Sequence, residues 1–393
     1  MQKSNTMAQS NSFDNDNDFV FDTPRIELQS KKTDDELKFT LSGIDVSIAN
    51  SIRRIILSEI PLVVFKVSPN DKNKCNIIEN TCGLNNEIVK HRLSCIPIYV
   101  KEDAFPLSNY IMELNIQNNT DTTMIVTSEQ FQIKDIVADK YLPDNDVHEI
   151  FPPNHYTGQF IDFVRLKPKS SDELKGKSIH LTCEFDIGRA KEDGAFNAVS
   201  TCSYGNTIDE SLQEMKLQQL KQKWKDEGKK QQEIDFEVKN WKLLDGKRIF
   251  KKNSFDFIIQ SECVYKNAEL LLLSCKILID KFQELDAIID KDELVIKVAD
   301  STMKNSYDII LENQDYTVGK VLEYFLYSLF YEKNVLTFCG FKMLHPHDSY
   351  GLLRVAYTDA TEINNIKGNL KKCIEQANRL YNQLNKEFIR LVE

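Results

Sequence analysis

The sequence has no run able to cross a membrane. Its most apolar stretch, Leu270 to Ile279, is about ten residues long and contains Lys276, about half a hydrocarbon span. It shows no signal-peptide pattern either, since Met1 to Asp22 is rich in Asn, Ser and Asp and lacks an apolar core. Residues 1–22 are expected to be a disordered tail, with Phe13, Phe19 and Phe21 as its aromatics. Positive charge is not in excess: the formal net charge is −10. Free-standing nucleic-acid binding needs a basic surface that displaces counterions. That class is disfavoured, while a local basic patch stays open.

Metal-ligand spacing is missing too. The nine cysteines are Cys75, Cys82, Cys95, Cys183, Cys202, Cys263, Cys275, Cys339 and Cys373. None form a Cys-x-x-Cys pair, so a zinc or iron–sulfur site is not expected. An odd, scattered set reads as reduced intracellular thiols. Gly188 and Gly194 match neither a P-loop nor a dinucleotide fingerprint. What remains is ordinary globular composition, 41% hydrophobic and 28% charged, in a chain long enough for two or three domains.

The best-marked element lies between Gly43 and Pro61. Asp45 or Ser47 can cap a helix there. Ile48, Ile52, Ile55 and Ile56 form one apolar stripe at helical period. Small Ala49 and Ser51 would let a neighbouring backbone approach. Pro61 stops the helix because it has no N–H to donate. Arg53 and Arg54 fall in the third turn, either as solvated side chains or as a docking point.

The strand Lys38-Phe39-Thr40-Leu41-Ser42-Gly43, then Ala49-Asn50-Ser51-Ile52-Arg53-Arg54 and Glu59-Ile60-Pro61, resemble the α-type assembly subunits of cellular RNA polymerases. That family comprises the bacterial α subunit, its archaeal D-like counterpart and the eukaryotic third subunit. The run Asn80-Thr81-Cys82-Gly83-Leu84-Asn85-Asn86-Glu87-Ile88-Val89-Lys90-His91-Arg92-Leu93, with Ile96-Pro97 beyond it, is similar to a second motif of that family. Asn85 or Asn86 would cap a short helix. Glu87 and His91 sit at i, i+4, which is half of an acid–base or metal site; a structural helix with a salt-bridged pair is the simpler reading. The resemblance implies that Arg92 helps to hold a large partner protein.

Phe105 to Gly205 reads as an inserted β-rich region, with strands at 111–116, 123–128, 161–168 and 179–185. The segment 188–199 resembles the family's small-residue stretch. The four-cysteine zinc loop of the eukaryotic third subunit is missing, as are the iron–sulfur cysteines of some archaeal ones. Thr207 to Glu227 reads as a charged amphipathic helix opened by a Thr207-x-x-Glu210 capping box. Its expected apolar stripe is Ile208, Leu212, Met215, Leu220 and Trp224, and Gly228 ends it. Lys216, Lys221, Lys223 and Lys225 are interleaved with acids, which favours a solvated face. A strand at 254–262 and a helix from Asn267 to Leu285 follow.

A second unit begins near Tyr307. Thr317 is the expected cap of a helix carrying Val318, Leu322, Phe325 and Leu329, followed by strands at 335–342 and 351–357. His345 and His347 flank a proline, and a turn is the expected reading. From Glu362 to Leu391 the residues Ile363, Ile366, Leu370, Cys373, Ala377, Leu380, Leu384, Phe388 and Leu391 step by three or four, a helix–helix seam. Its expected partner is the apolar helix 270–285. This order resembles the eleventh subunit of RNA polymerase II and its archaeal L-like counterpart, with Tyr316 and Lys320 replacing that family's His and Asn.

The expected fold is α+β: two α-subunit-type dimerisation units paired within one chain, with an inserted β-rich domain. The expected division is a tail at 1–22, a discontinuous dimerisation unit at 23–102 and 250–290, the insert at 103–205, a helical insertion at 206–249 and the second unit at 291–393. The resemblance implies a non-catalytic assembly platform of a multisubunit DNA-directed RNA polymerase. It implies large-subunit contacts at Arg53, Arg54, Asn80, Glu87, His91 and Arg92. It implies an intramolecular interface of Ile48, Ile52, Ile55, Val318, Leu322, Phe325, Leu370, Ala377 and Leu384. No catalytic residue, metal or cofactor is expected on this chain, the Mg²⁺ of such enzymes belonging to the largest subunit. Expected partners are the two largest subunits and other small subunits, with DNA and RNA met only through the complex and no membrane. Such fusions are associated with large DNA viruses, which implies host cytoplasm and virion; a cellular chain would be nuclear. The competing classes are a free-standing interaction scaffold and an enzyme with an unrecognised site.

Overall fold

The computed structural model describes residues 23–29, 36–104, 106–169, 171 and 175–392. The expected tail at 1–22 and the expected turn at 30–35 lie outside them. Regular structure starts with β1 (Arg25–Leu28), β2 (Leu37–Ser42) and α1 (Val46–Ser58). In β2 the alternation buries Leu37, Phe39 and Leu41. Gly43 takes φ +79°, a left-handed conformation that suits a residue without Cβ. Asp45 then caps α1 by accepting from the Ser47 N–H at 2.8 Å, which settles the choice between Asp45 and Ser47.

From Leu62 the chain leaves this sheet for a separate unit. Its elements are β3 (Leu62–Val64), β4 (Cys75–Asn80), α2 (Asn86–Ser94), β5 (Tyr110–Gln117), β6 (Met124–Thr127), β7 (Gln132–Asp135), β8 (Lys140–Tyr141), α3 (Asp144–Ile150), β9 (Asp162–Leu166), β10 (Ser178–Glu184) and β11 (Asp186–Gly188). An antiparallel sheet runs in the order β4-β10-β5-β7-β8, and β6-β9 and β3-β11 form two-stranded ribbons. Phe65, Val89, Leu93, Met112, Leu114, Phe131, Phe151, Phe163 and Leu181 fill one core of their own.

That core corrects the expected boundaries. The expected dimerisation unit includes residues 63–98, yet these pack in the second core. The reason is pairing at long range: β4 lies against β10, about a hundred positions later, and α2 rests on the same unit. The return falls earlier than residue 205, since Ala198, Val199 and Cys202 are buried in the first core.

β12 (Val199–Ile208), α4 (Glu210–Asp226), α5 (Gln231–Leu243), β13 (Phe250–Ser261) and α6 (Asn267–Asp290) complete the first half. Its sheet is ordered β1-β2-β13-β12. α4 and α5 extend from the β12–β13 connection as a helical hairpin. Three expectations for α4 fail. Its cap is Asp209, which accepts from the Leu212 N–H at 3.0 Å. Thr207 stays in β12 and donates to Asp256 at 2.8 Å. The residue α4 buries is Leu217, while Met215 stands exposed, because α4 packs chiefly against its hairpin partner α5.

The second half holds β14 (Val295–Val298), β15 (Ser306–Glu312), α7 (Tyr316–Leu326), β16 (Leu336–Lys342), β17 (Tyr350–Tyr357) and α8 (Ile363–Val392). Its sheet is ordered β14-β15-β17-β16. Setting the 62–188 excursion and the helical hairpin aside, both halves run strand, strand, helix, strand, strand, helix, and equivalent strands hold equivalent sheet positions. α1 packs on α7 and α6 on α8, so equivalent helices face one another and the two halves share one hydrophobic core. The cap of α7 is Asp315, which accepts from the Thr317 N–H at 2.8 Å. The expected cap, Thr317, is a buried helix residue instead.

Candidate assembly interface

All nine residues expected at the intramolecular interface are brought together. Ile48, Ile52 and Ile55 on α1, Val318, Leu322 and Phe325 on α7, and Leu370, Ala377 and Leu384 on α8 are buried in the shared core. Cys275, Leu278 and Phe282 of α6 close it from the other side. Burying a side chain of this size is worth about 1.5–3 kcal/mol, so this seam carries most of the attachment between the halves.

Two polar contacts give the seam its register. Ser51 donates to the Ile48 carbonyl at 2.7 Å and meets the Tyr381 hydroxyl at 2.7 Å. Since the serine proton is used, Tyr381 is the donor. Burial pushes the Tyr381 hydroxyl well above its usual range, against the Ser51 hydrogen bond, so the phenol stays protonated. Its ring stacks on Phe282 at 6.0 Å. Ser51 therefore admits a tyrosine side chain rather than a closely approaching backbone. The second contact is at the rim. Arg54 donates from Nη2 to Asp315 at 2.6 Å and from Nε to Thr317 at 2.9 Å. Burial works against the Asp315 carboxylate, but hydrogen bonds from the Thr317 hydroxyl and N–H and the Arg54 charge outweigh it and hold its pKa below the usual carboxylate range. Both partners are about one-third exposed, so the pair itself is worth about 0–1 kcal/mol.

α7 is locked to its own sheet by close packing. A Cβ on Gly319 would lie 2.4 Å from the Phe341 ring, and one on Gly351 would lie 2.2 Å from it. Glu323 accepts from Lys320 and from the Phe341 N–H, each at 2.7 Å. Lys320 and Tyr316, the two departures from the eleventh-subunit pattern, are thus both used locally, Tyr316 by packing its ring against Phe341 at 5.4 Å.

The six residues expected to meet a large partner fall into two groups. Arg54 is committed to Asp315 and Thr317, an internal contact that the arginine doublet did not signal. Arg92 donates to the Phe163 and Asp162 carbonyls at 2.6 and 2.8 Å and so ties α2 to β9. Asn80 holds the turn before α2 by donating to the Leu84 carbonyl and to Asn86. Glu87 and His91 are exposed on α2, and no ion pair joins them among the described residues. Arg53 is half-buried on α1 and donates to Asn50 of the same helix at 2.8 Å. Arg53 lies on the first core and α2 on the second, so the six are not one cluster.

Among the described residues no three His, Cys, Asp or Glu side chains are placed to hold a metal ion. His347 donates its N–H to His345 Nδ1 at 3.1 Å, closing the turn. An Asp-x-Asp-x-Asp run, a carboxylate pattern that can hold Mg²⁺, stands at Asp14 to Asp18, outside the described residues. A cleft of about 930 Å³ lies between α6 and the 101–103 loop. Two ion pairs cross it, Lys101 with Glu269 at 3.0 Å and Lys281 with Glu59 at 3.2 Å. No described helix is long and apolar enough to cross a membrane.

The sequence pattern of the RNA polymerase Rpb3/Rpb11 dimerisation domain matches residues 38–282, more than half of the chain. The chain belongs to this family. Among curated family relatives it is 30% identical over 207 residues to the "DNA-directed RNA polymerases I and III subunit rpac1" of Dictyostelium discoideum, a match covering 48% of this chain and 55% of that one. It is 37% identical over 92 residues to the "DNA-directed RNA polymerase subunit Rpo3" of Thermococcus kodakarensis, covering 22% and 33%. It is 39% identical over 75 residues to the "DNA-directed RNA polymerases II, IV and V subunit 3" of Arabidopsis thaliana, covering 19% and 21%. The chain thus spans about half the length of the Dictyostelium relative and a third or less of the other two. The family match enters at β2 and ends inside α6.

Proposed function

We propose that this chain is the assembly platform of a multisubunit DNA-directed RNA polymerase, with a third-type and an eleventh-type module fused and paired within one polypeptide. The observation that carries this reading is the repeated strand–helix order of the two halves, with α1 seated on α7 and α6 on α8. Fusion makes the pairing intramolecular and raises the effective concentration of one half for the other. The chain would hold the two largest subunits and do no chemistry itself, with Mg²⁺ on the largest subunit and nucleic acid met through the complex. In this reading Arg53, Glu87 and His91 face the large partner directly, while Arg54, Asn80 and Arg92 shape the surface through the hydrogen bonds they make within the fold. The fused order also points to a large DNA virus, with the enzyme in host cytoplasm and virions.

The test is a tagged pull-down of the full chain from its native source, with mass spectrometry and stoichiometry. Two very large subunits at one copy each, without a separate eleventh-type chain, are the expected result. Recovery of the chain alone or only with itself would leave a free-standing scaffold. Arg53→Ala is expected to weaken recovery of the second-largest subunit while the chain stays folded. Arg54→Ala is less clean, because it also removes the Asp315 contact.

A further inference from the structure

We propose that Cys75 and Cys183 form an oxidation site that closes reversibly to a cross-strand disulfide, with hydrogen peroxide as the oxidant. The two residues are direct partners in the β4–β10 ladder. The Glu184 N–H donates to the Lys74 carbonyl at 3.2 Å, while the Lys74 N–H turns away to the Lys66 carbonyl at 2.8 Å, so a single bond marks Glu184 and Lys74 as the hydrogen-bonding position of this ladder. The neighbouring pair, Cys183 and Cys75, is then a non-hydrogen-bonded one. Such pairs bring Cα atoms to about 4.5 Å with side chains close together, within the span of about 4.4–6.8 Å that a disulfide accepts. Both residues are buried, at 2% and 0% exposure, and both belong to the second core. No other pair of cysteines is directly opposed in a strand ladder among the described residues.

The local chemistry favours Cys75 as the attacking sulfur. A hydrogen bond with Cys183 holds its thiol below the usual range, against burial and with help from the Lys90 ammonium. Access comes through β4, which is an edge strand of its sheet and can open without unfolding the rest. The Cys75 thiolate attacks one peroxide oxygen. An S–O bond forms, the O–O bond breaks, and the leaving hydroxide takes a proton to become water. Cys183 sulfur then attacks the Cys75 sulfenic acid. The S–S bond forms, the S–O bond breaks, and the departing hydroxyl leaves as a second water with the Cys183 proton. Two thiols lose two electrons and two protons, and one peroxide becomes two waters. The bond would staple β4, which leads into the Asn80–Arg92 segment, onto β10.

The experiment treats the folded full chain with hydrogen peroxide, alkylates the remaining thiols, digests the protein and maps cross-linked peptides by mass spectrometry. The expected result is one dominant link between Cys75 and Cys183, removed by dithiothreitol, together with an upward shift of the unfolding midpoint over the reduced chain. In Cys183→Ser the expected product is a dimedone-trappable sulfenic acid at Cys75. Cys95→Ser, which removes an exposed thiol, should leave the link unchanged. Links that pair Cys75 with another cysteine would overturn the proposal. So would oxidation confined to Cys95 with Cys75 and Cys183 still alkylatable after denaturation. The wild-type map needs no variant to fold.

Discussion

The two halves share a strand–helix order and differ in what their connections carry. Between α1 and β12 the first half inserts a unit with its own core; the second half joins α7 to β16 through a single π-helical turn at Tyr327–Tyr331. At the next connection the first half adds the α4–α5 hairpin, while the second closes β16 to β17 with the His345–Asp348 turn. Both elaborations leave from strand and helix ends, away from the faces where α1 meets α7 and α6 meets α8. Long connections cost little extra entropy, so growth is tolerated there and not in the seam. The seam is also asymmetric. Asp45 and Asp315 cap α1 and α7 in the same way, each accepting an N–H two residues on at 2.8 Å. Nine residues beyond the cap stands Arg54 in α1 but Tyr324 in α7. The ion pair therefore crosses from the first half to the second, and Asp45 has no matching ion pair among the described residues. Such one-sidedness favours unlike halves over a symmetric pair of identical ones.

The largest expected effect tests whether the seam is the principal attachment. Tyr381→Ala removes a buried ring and is expected to cost about 3–5 kcal/mol in urea unfolding, whereas Tyr381→Phe, losing only the Ser51 hydrogen bond, should cost about 1 kcal/mol. Equal losses for the two would show that the hydroxyl, not the packing, holds the seam. Next, Gly319→Ala drives a methyl into Phe341 and should cost about 1–3 kcal/mol; a neutral result would mean that α7 is free to move off its sheet.

The rim asymmetry is a smaller effect. A double-mutant cycle of Arg54→Ala and Asp315→Ala should return a coupling of about 0.5–1 kcal/mol, and zero coupling would remove the ion pair as a register device. Its pH dependence has a definite sign. The folded pKa of Asp315 is depressed, so its stabilisation is fully present above the unfolded value of about 3.9. It is lost as pH falls through the folded value. The advantage of wild type over Asp315→Asn should accordingly hold at neutral pH and vanish in acid; an advantage that grows on acidification would contradict it. The least effect is expected on the hairpin. Phe236 of α5 is 69% exposed, so Phe236→Ser should change stability by about 0.5 kcal/mol or less, as denaturant titration can check.

The seam was legible because it is periodic. Ile48 to Ile55 and Leu370 to Leu384 announce their buried faces through local spacing. Other features were hidden for specific reasons. Tyr381 follows Ala377 on the same stripe, but its hydroxyl needed Ser51, a residue from the far end of the chain. Arg54 looked like its neighbour Arg53 until α7 brought Asp315 beside it. Thr207 and Thr317 fit cap patterns, yet an aspartate held the cap in each case, because it sits at the position where the helix backbone begins.

The helices, most of the strands, the apolar faces and the family motifs around Arg53 and Arg92 follow from the order of residues alone, since these depend on neighbours within a few positions. Which strands pair came from the folded chain, and with it the placing of β4 and α2 beside β10 rather than α1. So did the choice of which arginine is used inside the fold. Strand pairing and charge pairing join residues far apart in the chain, and a local pattern carries no information about a partner at that distance.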